Sequence, residues 1–320
     1  MIFSLFGRGA DIDARKRTLL AIGSFLLPLL VWCLVSYVPF IWHPKVLVTD
    51  PGGVDYFQVD MLVDKAMFKD EVANMAQAQL ALPQGRPSNP IYLPAPDDVA
   101  KAFYDGFVNP PTHSDAPSMP ASLWHSIRII FWGFLISSLI GVPLGILSGT
   151  YATLGRLNEP FIEFFRYLPA PAFGALAVAI LGIYNGPKIA IIVIGTLFQQ
   201  VLIIANTTRK LETTLIEAAR TLGSRNLKLL TKVVVPGILP DLYRDQRILL
   251  GWAWTYLIVA ELIGTSSGIT WFITQQARYQ HFDNVYAAIM TIGIIGFGSD
   301  LILARLGRRL FPWDRTQDRQ

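Results

Sequence analysis

The chain has 320 residues, 52% of them hydrophobic and 16% charged, and a formal net charge of +4; its mean hydropathy of +0.42 is too apolar for a water-soluble domain of this size. One cysteine, Cys33, excludes an internal disulfide and a cysteine metal cluster. The positive balance lies in the flanks of apolar segments and not on a soluble basic face, which excludes a nucleic-acid-binding domain.

The first apolar segment, 18–41, contains no Asp, Glu, Lys or Arg and follows Arg8, Arg15, Lys16 and Arg17. A helix needs roughly 20 largely apolar residues to cross a bilayer, so this segment predicts a first span. It is too long for a secretory signal core and no small-residue cleavage pattern precedes Trp42, which predicts that it is retained. Residues 43–121 form the one large extramembrane segment, acidic in balance, and are predicted to be a periplasmic helical insert. Within 58–80, Met61, Phe68, Val72, Met75 and Ala76 share one helical face. Val99, Phe103 and Phe107 suggest a second helix after Asp97 and Asp98, and Pro110, Pro111, Pro117 and Pro120 make a stiff approach to the next span.

Spans are then expected near 129–149, 161–184, 189–206, 248–260 and 285–299, about six in all. Gly141, Gly145 and Gly149 form small-xxx-small steps in the second span, with Gly293 and Gly296 offering another close-approach face in the last. Pro143 predicts a kink, and Pro169 with Pro171 predicts a broken third span, since two backbone donors are missing there. Gln199 and Gln200 interrupt the fourth span, and Trp252, Trp254 and Tyr256 alternate on the fifth. Uncharged amide donors suit transient contact with an anion, and the alternative for either Gln is an interhelical hydrogen bond. Glu261 falls toward the far end of the fifth span as either a gate or a helix-locking acceptor. Asp300 is expected to pair with a basic residue.

The insert 207–247 is polar and basic, and Arg305, Arg308 and Arg309 follow the last span. Lys and Arg concentrate on the cytoplasmic side, so both termini and this insert are expected inside. The segments divide as 1–42, N-terminus and first span; 43–121, the periplasmic segment; 122–313, the permease core; and 314–320, a cytoplasmic tail. Within the insert, Thr214 and Glu217 have capping-box spacing, which starts a helix near Leu215; Gly223 can close it, Ser224 can cap the next, and Pro236 marks where that second helix meets a bend or the membrane again.

Glu217-Ala218-Ala219, Gly223 and then Val233-Val234-Val235-Pro236 resemble the EAA loop of ABC importer membrane subunits, with Val233 and Val235 departing from the Ile and Leu of that pattern. The similarity extends through Leu93-Pro94-Ala95-Pro96, Ser126-Ile127-Arg128, Gly141-Val142-Pro143-Leu144-Gly145, Arg166 with Pro169 and Pro171, the segment from Glu261 to Gly268, and Pro312-Trp313. Together these resemble the permeases of the nitrate, sulfonate, taurine and bicarbonate importers. The resemblance implies an all-α, polytopic fold of the type I importer kind, working as a homodimer in the inner membrane of a bacterial cell. It implies a cytoplasmic ABC ATPase dimer seated on a coupling loop of Glu217, Ala218, Ala219, Gly223 and Pro236, and a periplasmic binding protein delivering a small oxyanion. The substrate pathway is expected at Gln199, Gln200, Trp252, Tyr256 and Glu261. No phosphate-binding G-x-x-x-x-G-K-[ST] occurs, so ATP and Mg belong to the partner, and the chain itself is expected to hold no cofactor, to bind no nucleic acid and to catalyse nothing. The rival reading, an ATP-independent channel or secondary carrier, calls for paired intramembrane ionisable residues, and Glu261, Asp300 and Arg166 are the available ones.

Overall fold

The structure is a computed structural model that describes residues 14–38, 41–109, 118–263 and 267–314. Pro110, Pro111 and Pro117 lie outside the described residues, as does part of the segment after Glu261. Two compact units are present, Met1–Asp105 with Gln276–Ala287, and Gly106–Gln275 with Ala288–Gln320.

The first unit begins with α1 (Ala14–Tyr37), a helix apolar on every side. It continues into a small α/β module of β1 (Lys45–Asp50), β2 (Leu62–Asp64), α2 (Lys65–Gln77), β3 (Gln84–Ser88) and α3 (Pro96–Val108). The strands pair antiparallel in the order β2-β1-β3. Val46 and Val48 alternate inward along β1, and Val48, Val54, Phe57 and Val63 form a core closed by Phe68 and Met75 of α2. The predicted helix within 58–80 is therefore shorter, and Met61 lies before it as part of a loop. Its carbonyl accepts from Val48 N–H at 2.9 Å. The module is stitched to the end of α1: the Trp32 indole donates to the Pro94 carbonyl at 3.2 Å and the Tyr37 hydroxyl to Asp97 at 2.5 Å. That hydroxyl holds the Asp97 carboxyl below its ordinary pKa.

The second unit is built on α4 (Met119–Thr150) and α7 (Asn185–Arg209). Along α4, Cβ atoms at Gly133, Gly141, Gly145 and Gly149 would meet Ile192, Gln200, Ile204 and Thr208 of α7 at 2.5 to 2.8 Å. Both sets of numbers rise in step, so the two helices run parallel, their backbones brought together along a glycine groove. Parallel neighbours require the chain between them to return across the same distance. It does so in α5 (Ala152–Arg166) and α6 (Gly174–Leu181), bent by 86° about a 3₁₀ turn at Ala170–Phe173. The break falls at Pro169 and Pro171, where the sequence places it, while α4 runs through Pro143 as one helix.

Beyond α7 come α8 (Thr213–Thr221), α9 (Asn226–Leu229), α10 (Val235–Leu262), α11 (Ile269–Arg278) and α12 (Phe282–Leu310). Four described helices, α1, α4, α7 and α12, are long and apolar enough to cross a membrane, and the bent pair of α5 and α6 brings the number to five if it is counted as one span. α10 is 28 residues long and carries Asp241, Arg244, Asp245, Arg247 and Glu261, all but Glu261 in its first half. It packs antiparallel to α7, with Tyr256 against Gly195 and Gln246 against Gln200. α12 reverses again, held by a two-pronged Arg247–Asp300 pair at 2.9 and 3.0 Å. A Cβ at Gly293 or Gly296 would meet nothing within 4 Å, so the second close-approach face is not used among the described residues.

Gly145→Leu is expected to abolish recovery of folded protein, since its Cβ alone would lie 2.8 Å from that of Ile204 and the groove has no room to yield. Gly293→Ala, with open space around it, serves as the matched control. Detergent-solubilised yield and monodispersity by size exclusion measure both, and equal recovery would refute the groove as the organising contact.

Candidate functional site

Three sites carry the residues singled out by sequence. The first is the turn between α8 and α9. Leu215 N–H bonds the Glu212 carbonyl at 3.1 Å, so the helix starts two residues earlier than the capping-box spacing suggests. Thr214 is thus inside the first turn, and no side chain caps the helix. The C-terminus behaves as the sequence predicts. Gly223 has φ +85°, its N–H bonds the Arg220 carbonyl at 2.9 Å, and Ser224 N–H bonds the Ala219 carbonyl at 2.9 Å. This pair of bonds is the Schellman closure, which demands a left-handed residue at Gly223. Ser224 does not cap the next helix; Arg225 takes that place without a side-chain bond. The chain then widens into a π turn at Leu230–Val234 and continues into the long helix α10, with Pro236 in its first turn, which is the second of the two places the sequence offers for Pro236.

The inner face of this hairpin is anchored. Ile216 and Ala219 pack on Ile146 of α4, Ile204 of α7, and Leu229, Val234, Ile238 and Leu242. The outer face is bare: Glu217, Ala218 and Arg220 are exposed, and Leu222 and Leu227 stand 89% and 69% accessible. Two leucines so exposed at the tip of a polar insert escape a motif search, because they fall at its variable positions. The hairpin therefore has a rigid seat on the ends of three long helices and an unpartnered apolar tip.

The second site is a cleft of about 40 Å³ between α5, α7 and α10, lined by Phe165, Arg166, Phe198, Gln199, Trp252 and Tyr256 among others. Three of the predicted pathway residues, Gln199, Trp252 and Tyr256, converge here. Gln200 does not. It is fully buried, one position round the helix, accepting from Ser137 at 2.8 Å and donating to Ser138 at 2.9 Å and to Gln246 at 2.7 Å. Its amide joins α4, α7 and α10, so of its two open readings the interhelical bond is the one the structure shows.

The third site is at the far end of α10. Glu261 is 2% exposed, accepts from Ser126 of α4 at 2.5 Å and from Thr270 N–H of α11 at 2.8 Å, while Ser126 also accepts from Ile269 N–H. A Cβ at Gly268, φ +105°, would fall on the Glu261 carboxylate. Beside it, fully buried Lys188 donates to the Ser267 carbonyl and hydroxyl, both at 2.9 Å. Glu261 is thus a helix-locking acceptor and does not face the cleft. The signal that could have found this is the Glu-to-Gly spacing: a buried acceptor needs donors, and a glycine seven residues on leaves room for them.

Comparison with known proteins gives one consistent result. Residues 141–312 match the family described as binding-protein-dependent transport system inner membrane component. A probable ABC transporter permease of Brucella melitensis is 32% identical over 70% of this chain and 88% of its own length. The taurine transport system permease of Escherichia coli is 31% identical over 70% and 81%, and a bicarbonate transport permease of Synechococcus elongatus 28% identical over 57% and 66%. Among solved structures, an inward-facing MetNI methionine ABC transporter aligns over 58% of this chain and 93% of its own, with TM-score 0.53 and 21% identity, a likeness of fold.

The two neighbouring glutamines are expected to separate on substitution. Gln200→Leu strands the Ser137 hydroxyl and removes the amide's two bonds to Ser138 and Gln246, which keep only their bond to each other; this costs on the order of 1–3 kcal/mol and should lower the unfolding temperature of the detergent-solubilised protein. Gln199→Leu should leave it unchanged. A thermal scan showing the reverse order would refute this division of labour.

Proposed function

Because the chain belongs to the family of binding-protein-dependent transport system inner membrane components, we propose that it works as one of two identical membrane subunits, seated through its 207–247 insert on a separate cytoplasmic ATPase and fed by an extracytoplasmic binding protein. It is a permease subunit of an ABC importer, with transport and not catalysis as its activity. The carrying observation is the α8–α9 hairpin: an exposed, glycine-closed knuckle fixed from behind to α4, α7 and α10.

The basic insert and the arginines at the end of α12 support a cytoplasmic side for that knuckle and for both termini. ATP and Mg are then supplied and held by the partner, whose groove takes up Leu222 and Leu227 while Glu217 and Arg220 at the rim fix orientation. Closing of the ATPase pair pushes the hairpin, and through its seat moves α10, which lines the cleft with Trp252 and Tyr256. Substrate class rests on the relatives, named for taurine, aliphatic sulfonates and bicarbonate. These share a small oxyanion group, and an amide such as Gln199 can donate to one without binding it tightly.

Gly223→Val tests the coupling role. Beyond its chain neighbours no atom lies within 4 Å of an added Cβ, so the effect comes from the left-handed backbone, about 1–2 kcal/mol. The inserted protein should persist while co-purification of the ATPase falls at least fivefold; Gly223→Asn, which tolerates this conformation better, should keep most of it. Leu222→Ala should weaken co-purification without moving the unfolding temperature. Full ATPase binding and solute uptake by both Gly223→Val and Leu222→Ala would show the hairpin to be an ordinary connection.

A further inference from the structure

Among the described residues, Arg166 is the one charged side chain lining the cleft between α5, α7 and α10, and none of them forms an ion pair with it. It ends α5 immediately before the break, on the surface of a segment that crosses between apolar neighbours. One guanidinium nitrogen donates to the Tyr167 hydroxyl at 2.8 Å, and the guanidinium carbon lies 4.6 Å from that ring's centroid. Among the described residues no carboxylate comes within ion-pair distance of it, although Glu163 stands one turn back on the same helix. Three arginines of the neighbouring α7 and α10 are paired: Arg209 with Glu159, Arg244 with Asp241 and Asp314, and Arg247 with Asp300.

A guanidinium has five N–H donors, and Tyr167 takes one. The carbonyls at the end of α5 attract a cation by roughly 0.3–1 kcal/mol, well below the several kcal/mol that an intramembrane charge costs. Such a charge persists where water or a ligand meets it. The cleft supplies the complementary parts for an anion: the Gln199 amide, the Tyr256 hydroxyl, and the aromatic walls Phe198 and Trp252. Resting on the oxyanion reading above, we propose that Arg166 is the anion-binding residue of the translocation pathway, its planar fork pairing with a sulfonate, carboxylate or nitrate group as it passes. Arginine suits this better than lysine, because its two parallel N–H bonds match a two-oxygen acceptor. The cleft in this conformation holds little more than one water-sized group, so the pairing forms when α10 moves away from α5. Contact is thereby confined to the open stage of the cycle, and the anion is released as the cleft closes.

The experiment uses the complex of this chain with its ATPase in proteoliposomes, with the cognate binding protein added, and four probes: taurine, ethanesulfonate, nitrate and bicarbonate. Arg166→Gln should lower uptake of the carried anion per ATP hydrolysed at least tenfold, with co-purification of the ATPase as in the parent protein. Arg166→Lys should keep at least a third of the uptake. Uptake by Arg166→Gln within twofold of the parent would overturn the proposal. So would parallel loss of ATPase co-purification and uptake in Arg166→Gln with no rescue by lysine, which would make the side chain a brace for the break. If Arg166→Gln does not assemble, Arg166→Lys decides: uptake per ATP below a tenth of the parent's in an assembled complex also overturns it. Parent complexes that carry none of the four probes would remove the oxyanion reading and this assignment together, an outcome separate from the others.

Discussion

The contact on which the second unit depends is the parallel approach of α4 and α7 along a row of glycines. Side chains at Gly133, Gly141, Gly145 or Gly149 would collide with α7 at every turn of contact, so the two backbones close to the distance that dispersion contacts reward. Parallel direction has a topological consequence. The 34 residues between Thr150 and Asn185 must climb back, and they do so on a helix broken by Pro169 and Pro171. The break frees backbone carbonyls, and its tolerance in a membrane segment requires protein or a water-filled cavity beside it. The cleft of Arg166, Gln199 and Trp252 is beside it. Close packing on one side of α7 and an opening on the other are thus two results of one constraint.

Several polar groups inside the unit are paired across helices. Gln200 and Gln246 bond within the bundle, Thr207 donates to Asp245 at 2.5 Å, and Arg247 holds Asp300. These bonds all touch α10. At its far end Glu261 gathers donors from α4 and α11. Over its 28 residues, about 42 Å at 1.5 Å per residue, α10 therefore joins the seat of the hairpin to a polar clamp, with the cleft residues midway. A displacement of the hairpin must either travel along this helix or break bonds that tie it to its neighbours.

Much of this was legible in the sequence, for identifiable reasons. The apolar runs of α1, α4, α7 and α12, the small-xxx-small steps of α4, the proline pair and a helix-closing Gly223 are local signals, set by bilayer thickness or by backbone stereochemistry, and these appear where they were expected. Charge pairing of Asp300 was also anticipated, since an acidic residue near a span's end has few other uses. What failed depended on tertiary context. Thr214 and Glu217 have capping spacing, yet the chain leaving α7 turns at Lys210 and Leu211 and begins the helix earlier. Gln199 and Gln200 look equivalent in sequence, and the 100° between consecutive helical positions sends one to the cleft and one to the bundle. The β1 strand was missed because Val46 and Val48 give only two inward positions, too few for a period-two signal, and its partners lie as far away as Ser88.

The hairpin and the clamp place opposite demands on glycine, and the contrast shows how the two ends of α10 differ in purpose. At Gly268 the missing side chain is required by space, because the Glu261 carboxylate occupies it; the residue belongs to a filled, fully bonded site. At Gly223 the space is empty and the requirement lies in φ alone. A backbone held in a demanding conformation, with nothing nearby to fill the gap and two exposed leucines on either side, is shaped for a surface that the chain itself does not supply. The clamp end is bonded within the chain, and the hairpin end turns its two leucines outward.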